Sequence, residues 1–144
     1  YVNLGQKDKA LDVLREGLRL KPGETELSKL YARLLAEDGD NDQAIAVLND
    51  ALAVPGGGNK AELLAFVAAL NQQAGRYAQA ERSYHLLLQQ QSDNGTWLMG
   101  LAIALQKQSK AAEALEAYRQ ALYSGGMAPP IMRFISEQIR ELER

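Results

Sequence analysis

Gly75-Arg76-Tyr77-Ala78-Gln79-Ala80 and Ser109-Lys110-Ala111-Ala112-Glu113-Ala114 are two copies of one short pattern in this chain of 144 residues. Each is a turn residue followed by the opening of a helix, and each leads, four residues past its closing alanine, to a tyrosine, Tyr84 and Tyr118. The offset is 34 residues for the alanines (114 − 80) and for the tyrosines (118 − 84). Ala10 and Ala44 stand the same distance apart (44 − 10 = 34), whereas Ala44 and Ala80 differ by 36. Two extra residues therefore sit at Pro55-Gly56-Gly57-Gly58, as a hinge between two blocks of repeats or as a slack connecting loop.

Reading outward from that stretch, apolar residues recur at helical spacing along the whole chain. Tyr1 to Leu4 reads as the last turn of a helix that begins upstream, so a piece of a longer protein is expected. Gly5 supplies a turn, and Ala10, Leu11, Leu14, Leu18 and Leu20 form the next helix, stopped by Pro22-Gly23. A hairpin follows, its first helix from 25 to 37. Its turn is Gly39-Asp40-Asn41-Asp42, and its return helix carries Ala44, Ile45, Leu48 and Leu52. The third hairpin pairs 60–74 with 77–90, and the fourth pairs 96–107 with 111–123. Pro129-Pro130 opens a last helix at 131–142, with Ile131, Phe134, Ile135, Ile139 and Leu142 on one face and charges on the other.

Composition narrows the function classes. The chain is 47% hydrophobic and 24% charged, within the globular range. Residues 1–60 carry 8 basic and 10 acidic groups and residues 61–144 carry 8 of each, so no basic face tracks nucleic acid. With no cysteine, disulfides and thiolate metal sites are excluded, and either redox compartment is compatible. One histidine and no cysteine build no usual metal site, so no metal and no cofactor are expected. His85 has no nucleophile arranged near it and reads as a surface residue rather than a general base. Gly56-Gly57-Gly58 neither follows a strand nor precedes a GK[ST], so it is no phosphate loop. No apolar run approaches the roughly 18 residues needed to cross a bilayer.

A period of 34 residues in helix–turn–helix units resembles the tetratricopeptide repeat (TPR) family. The resemblance covers roughly three and a half repeats. Its small positions hold Ala32, Ala68 and Ala102 in the first helices and Ala10, Ala44, Ala80 and Ala114 in the second. Helices cross closely there, and a larger side chain would push their axes apart. The turn position reads Gly5, Gly39, Gly75 and Ser109; the large position reads Leu14, Leu48, Tyr84 and Tyr118. Departures are Leu87 at a further small position (Gly17, Ala51 and Ala121 elsewhere) and the missing repeat-end prolines at Ser92 and Gly126. The resemblance implies one all-α TPR domain, 1–144, a solenoid of antiparallel hairpins in a right-handed superhelix. Its parts are a partial repeat at 1–24, repeats at 25–60, 61–94 and 95–128, and a capping helix at 129–144.

In TPR proteins the first helices line a concave groove. Carrying those positions over gives Lys29 and Arg33, flanked by Glu26 and Glu37, then Glu62, Ala65, Ala69, Gln72 and Gln73. The fourth repeat adds Met99, Ile103, Gln106 and Lys107, with Thr96. The groove grades from charged to apolar and amide-rich, suited to an apolar helix or extended peptide whose backbone glutamines bind. The alternative is a solvated face, with Met99 and Ile103 packing on the closing helix. The clamp that TPR chaperone adaptors use for a terminal carboxylate is not assembled, since its places read Lys29/Arg33, Ala65/Ala69 and Met99/Ile103. Trp97 and Phe66 read as core at hairpin interfaces, with stacking on a partner as the alternative.

A narrower resemblance lies in Gly95-Thr96-Trp97-Leu98-Met99-Gly100-Leu101-Ala102-Ile103-Ala104-Leu105-Gln106. This run is similar to the terminal repeat of MshN-type proteins, which act in biogenesis of the mannose-sensitive haemagglutinin (MSHA) pilus, a type IV pilus. It implies a non-catalytic scaffold at the periplasmic face of the bacterial inner membrane, anchored by a segment outside this sequence, with a pilus assembly component as its protein partner. No small-molecule substrate is expected. The alternatives are a generic TPR adaptor (cytoplasmic, for instance), a self-associating module giving a homo-oligomer, or a regulatory lobe of an enzyme lying upstream.

Overall fold

Small residues at regular intervals let helices lie against one another, and helices account for nearly all of the architecture. The computed structural model describes residues 4–55 and 60–144. Among them are eight helices and no strand: α1 (Leu4–Leu20), α2 (Thr25–Glu37), α3 (Asn41–Ala53), α4 (Lys60–Gln73), α5 (Tyr77–Gln90), α6 (Gly95–Lys107), α7 (Ala111–Ser124) and α8 (Pro129–Glu143). Within the first unit three- and four-residue turns make α1, α2 and α3 sequential antiparallel neighbours, and within the second they do the same for α5, α6, α7 and α8.

One expectation fails at the start of the chain. Gly5 is no turn: α1 begins at Leu4 and takes Gly5 into its first turn. Glycine reaches the helical conformation as readily as the left-handed one, at a cost of about 1 kcal/mol against alanine, and it becomes a turn only where the chain must reverse. The helix turn expected at 1–4 lies, but for Leu4, outside the described residues, and so does the hinge or loop at 55–59, but for Pro55.

The chain forms two compact units, one ending at Leu70 and one beginning at Asn71, so the division falls inside α4. In the first, Leu14 of α1, Tyr31 and Leu35 of α2, Ile45 and Leu48 of α3, and Leu63, Val67 and Leu70 of α4 form one core. Phe66 packs on its margin. In the second, α5 packs on α6, α6 on α7 and α7 on α8. Ala80, Ala102, Ala114 and Ala121 are fully buried there, as are Leu87, Tyr118 and Ile135. Leu87 therefore fills a position that is small in other repeats without being pushed to the surface. Of the apolar face of α8, only Ile135 is buried; Ile131 and Phe134 stay 38% exposed.

A close seam lies between α5 and α6. A Cβ at Gly100 would stand 2.4 Å from Cζ of Tyr84 and 2.7 Å from its hydroxyl oxygen, so the buried ring rests on bare backbone. Gly100 carries no role in the sequence reading, yet it lets α5 and α6 come close. Asn94 opens α6 by accepting a hydrogen bond from the Trp97 amide at 3.0 Å, and Asp40 opens α3 by accepting one from Gln43 at 3.2 Å.

The three turns inside hairpins share one geometry. Gly39, Gly75 and Ser109 have φ of 82°, 77° and 65°. In each, the next amide donates to a carbonyl five residues back: Asp40 to Leu35, Arg76 to Asn71, Lys110 to Leu105. The turn residue itself donates three back, to Ala36, Gln72 and Gln106, completing a Schellman cap. Ser109 adopts the left-handed conformation that costs a side-chain-bearing residue about 1–2 kcal/mol. Its turn is tied down by Glu81, which accepts hydrogen bonds from Gln108 Nε2 at 2.8 Å and Lys110 Nζ at 3.2 Å. Ser109→Gly is therefore expected to stabilise the protein by about 1 kcal/mol in urea denaturation. A neutral or destabilising result would mean that the serine is not strained.

Candidate functional site

The residues expected to line a groove arrive on first helices, but many of their polar groups are committed within the chain. In the first unit, Lys29 is half-buried, its Nζ 3.1 Å from Glu62 Oε1 and 3.6 Å from Glu26 Oε1. The Glu62 carboxylate that accepts its hydrogen bond holds the Lys29 ammonium above its ordinary value. Lys29 and Glu62 thus join α2 to α4 across repeats. Arg33 and Ala69 are exposed and Ala65 is half-buried.

In the second unit the two central glutamines are not waiting for a partner's backbone. Gln72 Nε2 donates to the Gly100 carbonyl at 3.0 Å, while its Oε1 is buried without a partner. Gln106 Oε1 accepts from the Tyr118 hydroxyl at 2.6 Å, and Gln106 Nε2 donates to Gln138 Oε1 at 2.9 Å. That chain links α6, α7 and α8. Met99 and Ile103 are half-buried; Gln73, Thr96 and Lys107 are exposed.

A cavity of about 470 Å³ lies among α6, α7 and α8, with Ile103, Gln106, Lys107, Tyr118, Phe134 and Gln138 around it. Phe134 meets Tyr118 edge-to-face with ring centroids 6.4 Å apart. Phe134 and Gln138 thus belong to this site although the sequence reading assigned them only to a cap. The amphipathic pattern of α8 signalled its apolar face. What it did not signal was which end of α6 that face would meet.

Burial pushes the Tyr118 phenol up to about 12, and burial raises Tyr84 as well. Burial would also raise the Glu81 carboxyl, but hydrogen bonds from Gln108 and Lys110 outweigh it and hold it below the usual range. His85 is exposed, with Nε2 3.4 Å from Glu81 Oε2, where it adds to that cluster. Among the described residues no group of three or more His, Asp or Glu is placed to hold a metal, and no helix is long and apolar enough to cross a membrane.

Against known proteins, the family profile described as Tetratricopeptide repeat matches residues 1–125. The chain belongs to the tetratricopeptide repeat family. No match was found among curated proteins. Among solved structures, MamA is 15% identical with a TM-score of 0.77, the match covering 96% of this chain and 72% of MamA. PilW, a type IV pilus biogenesis factor, is 18% identical with a TM-score of 0.77, covering 94% of this chain and 62% of PilW. SycD, a type III secretion translocator chaperone of Yersinia enterocolitica, is 16% identical with a TM-score of 0.71, covering 82% of each chain. At these identities the likeness is one of fold, and the all-α TPR architecture expected from the repeats stands.

The buried phenol gives a titration test. Its folded value of about 12 lies above the ordinary 10.0, so its contribution to stability is complete below pH 10 and lost as pH rises through 12. Tyrosinate absorbance of wild type minus Tyr118→Phe should show this group ionising last, near the loss of helicity by circular dichroism. Ionisation near pH 10 with helicity intact would show that the phenol is not held by Gln106 and its apolar surroundings.

Proposed function

We propose that this TPR chain is a non-catalytic scaffold of a type IV pilus assembly machine, of the MSHA kind, holding a peptide or helix of another assembly component along its first helices. TPR arrays present extended surfaces for protein partners, and this is the general role of the repeat. The observation that carries the reading is what remains after internal bonds are counted. Arg33, Gln73 and Lys107 make no hydrogen bond or ion pair among the described residues, and Ala69 is exposed beside them in sequence order. Lys29, Glu62, Gln72 and Gln106 instead hold the helices that present them. Within each unit the side chains left for a partner are thus mounted on helices already cross-linked to one another, which lowers the ordering cost of binding.

The pilus assignment is supported by the run at 95–106, similar to MSHA-pilus proteins, and by the shared fold of PilW. The proposal extends to location, the periplasmic face of the inner membrane, which the resemblance at 95–106 implies. A second reading, self-association, is favoured by Val13 and Leu20, two large apolar side chains exposed seven residues apart on α1. Light scattering across concentration distinguishes it.

The test is affinity capture by this chain from membranes of cells that assemble the pilus, with bound proteins identified by mass spectrometry. Pilus motor, inner-membrane platform or pilin subunits are expected, and Ala69→Arg or Lys107→Glu should cut their recovery about tenfold while leaving helicity unchanged. Recovery of cytoplasmic proteins alone, or capture indifferent to both substitutions, would overturn the reading.

A further inference from the structure

The opposite side of the second unit holds a second groove, independent of the one proposed above. Its floor is one stripe of α6: Leu98, Leu101 and Leu105, at spacings of three and four, lie buried between α5 and α7, each no more than 7% exposed. Two cavities open over that stripe. One, of about 680 Å³, lies over Leu98 and beside Tyr123; the other, of about 370 Å³, lies over Leu101 and Leu105 beside His85. They share Glu116 and Gln120 of α7 and so run together as one channel. Each has the volume of an ordinary ligand pocket, roughly 300–1,000 Å³.

Two features say what fits there. Tyr123 stands at the edge, 94% exposed, a large amphipathic ring with nothing of its own chain on it. Rings of this kind are the anchors that carry binding energy in interfaces. The rim is acidic. Asp93, Glu113 and Glu116 carry three negative charges, while the guanidinium beside them, Arg119, is already paired with Glu143 of α8. His85 and Lys110 are likewise turned to Glu81. The field over the channel is therefore negative, and it repels phosphate backbones and acidic peptides alike.

We infer that this channel between α5 and α7 is a docking site for a basic protein segment, one whose apolar side chains enter the two cavities while its lysines or arginines meet Asp93, Glu113 and Glu116. Such pairing sets orientation and speeds encounter, and it weakens with salt.

The test uses the isotope-labelled chain and two synthetic peptides, one alternating lysine and leucine, the other glutamate and leucine. The basic peptide should bind and shift the amides of His85, Leu101, Gln120 and Tyr123; the acidic one should not bind. Glu113→Lys with Glu116→Lys should weaken binding about tenfold, and the same charge change at Glu137 and Glu141 of α8 by less than about twofold. Circular dichroism checks that both pairs remain folded. Equal weakening by both pairs, shifts centred on Gln73 and Lys107, or no binding at millimolar peptide would overturn the site. Shifts of the channel amides on simple dilution would also overturn it, because a second copy of the chain would then be the occupant. Since the pilus reading concerns the other face, either can fail alone.

Discussion

The contact on which the second unit depends is the Tyr84 ring resting on the bare backbone of Gly100. Neighbouring hairpins can share a core only if one helix surface is flat where the other is bulky, and dispersion falls off quickly with any gap. Gly100 is the flat point and Tyr84 the bulk. Around it the fully buried alanines Ala80, Ala102 and Ala114 repeat the same arrangement on a smaller scale. With the helices that close, the side chains of α6 are sorted by face, its leucines buried. Leu98, Leu101 and Leu105 go to the channel beside α7, and Ile103 and Gln106 go to the cavity beneath α8.

Polar groups then divide into those that hold the helices and those that are left over. Gln72 reaches the Gly100 carbonyl, Gln106 bridges Tyr118 to Gln138, and Glu81 gathers the turn at Ser109. Each is a bond between elements adjacent in a repeat array, and each removes a residue from the pool available to a partner. Binding by a scaffold of this kind draws on the remainder, which is exposed, sparse and mounted on surfaces that need little reordering.

Much of the fold was legible in the sequence because its determinants are local and periodic. The 34-residue offset of Ala80 and Ala114 required only counting, and Gly39 and Gly75 marked turns because left-handed backbone suits glycine. Ser109 was placed by the period although its residue type argues against that conformation. Gly5 misled for the converse reason: the period assigned it a turn, and residue type could not say that no reversal occurs there. The site was less legible. Helical spacing shows that Gln72 and Gln106 lie on one face of a first helix, but not that a carbonyl of α6 or an amide of α8 already waits at bonding distance. Nor does any local pattern show that Gly100 must lack a side chain, because the atom that forbids one belongs to Tyr84, sixteen residues away.

The most direct measurement of this account is a double-mutant cycle on stability with Gly100→Ala and Tyr84→Leu. Gly100→Ala alone should lose about 1–3 kcal/mol despite the better helix propensity of alanine, because the ring must be displaced. In the Tyr84→Leu background the same change should cost nothing or add stability, giving a large coupling energy. Additive losses would contradict the account, showing that the two hairpins are not spaced by that ring on that backbone.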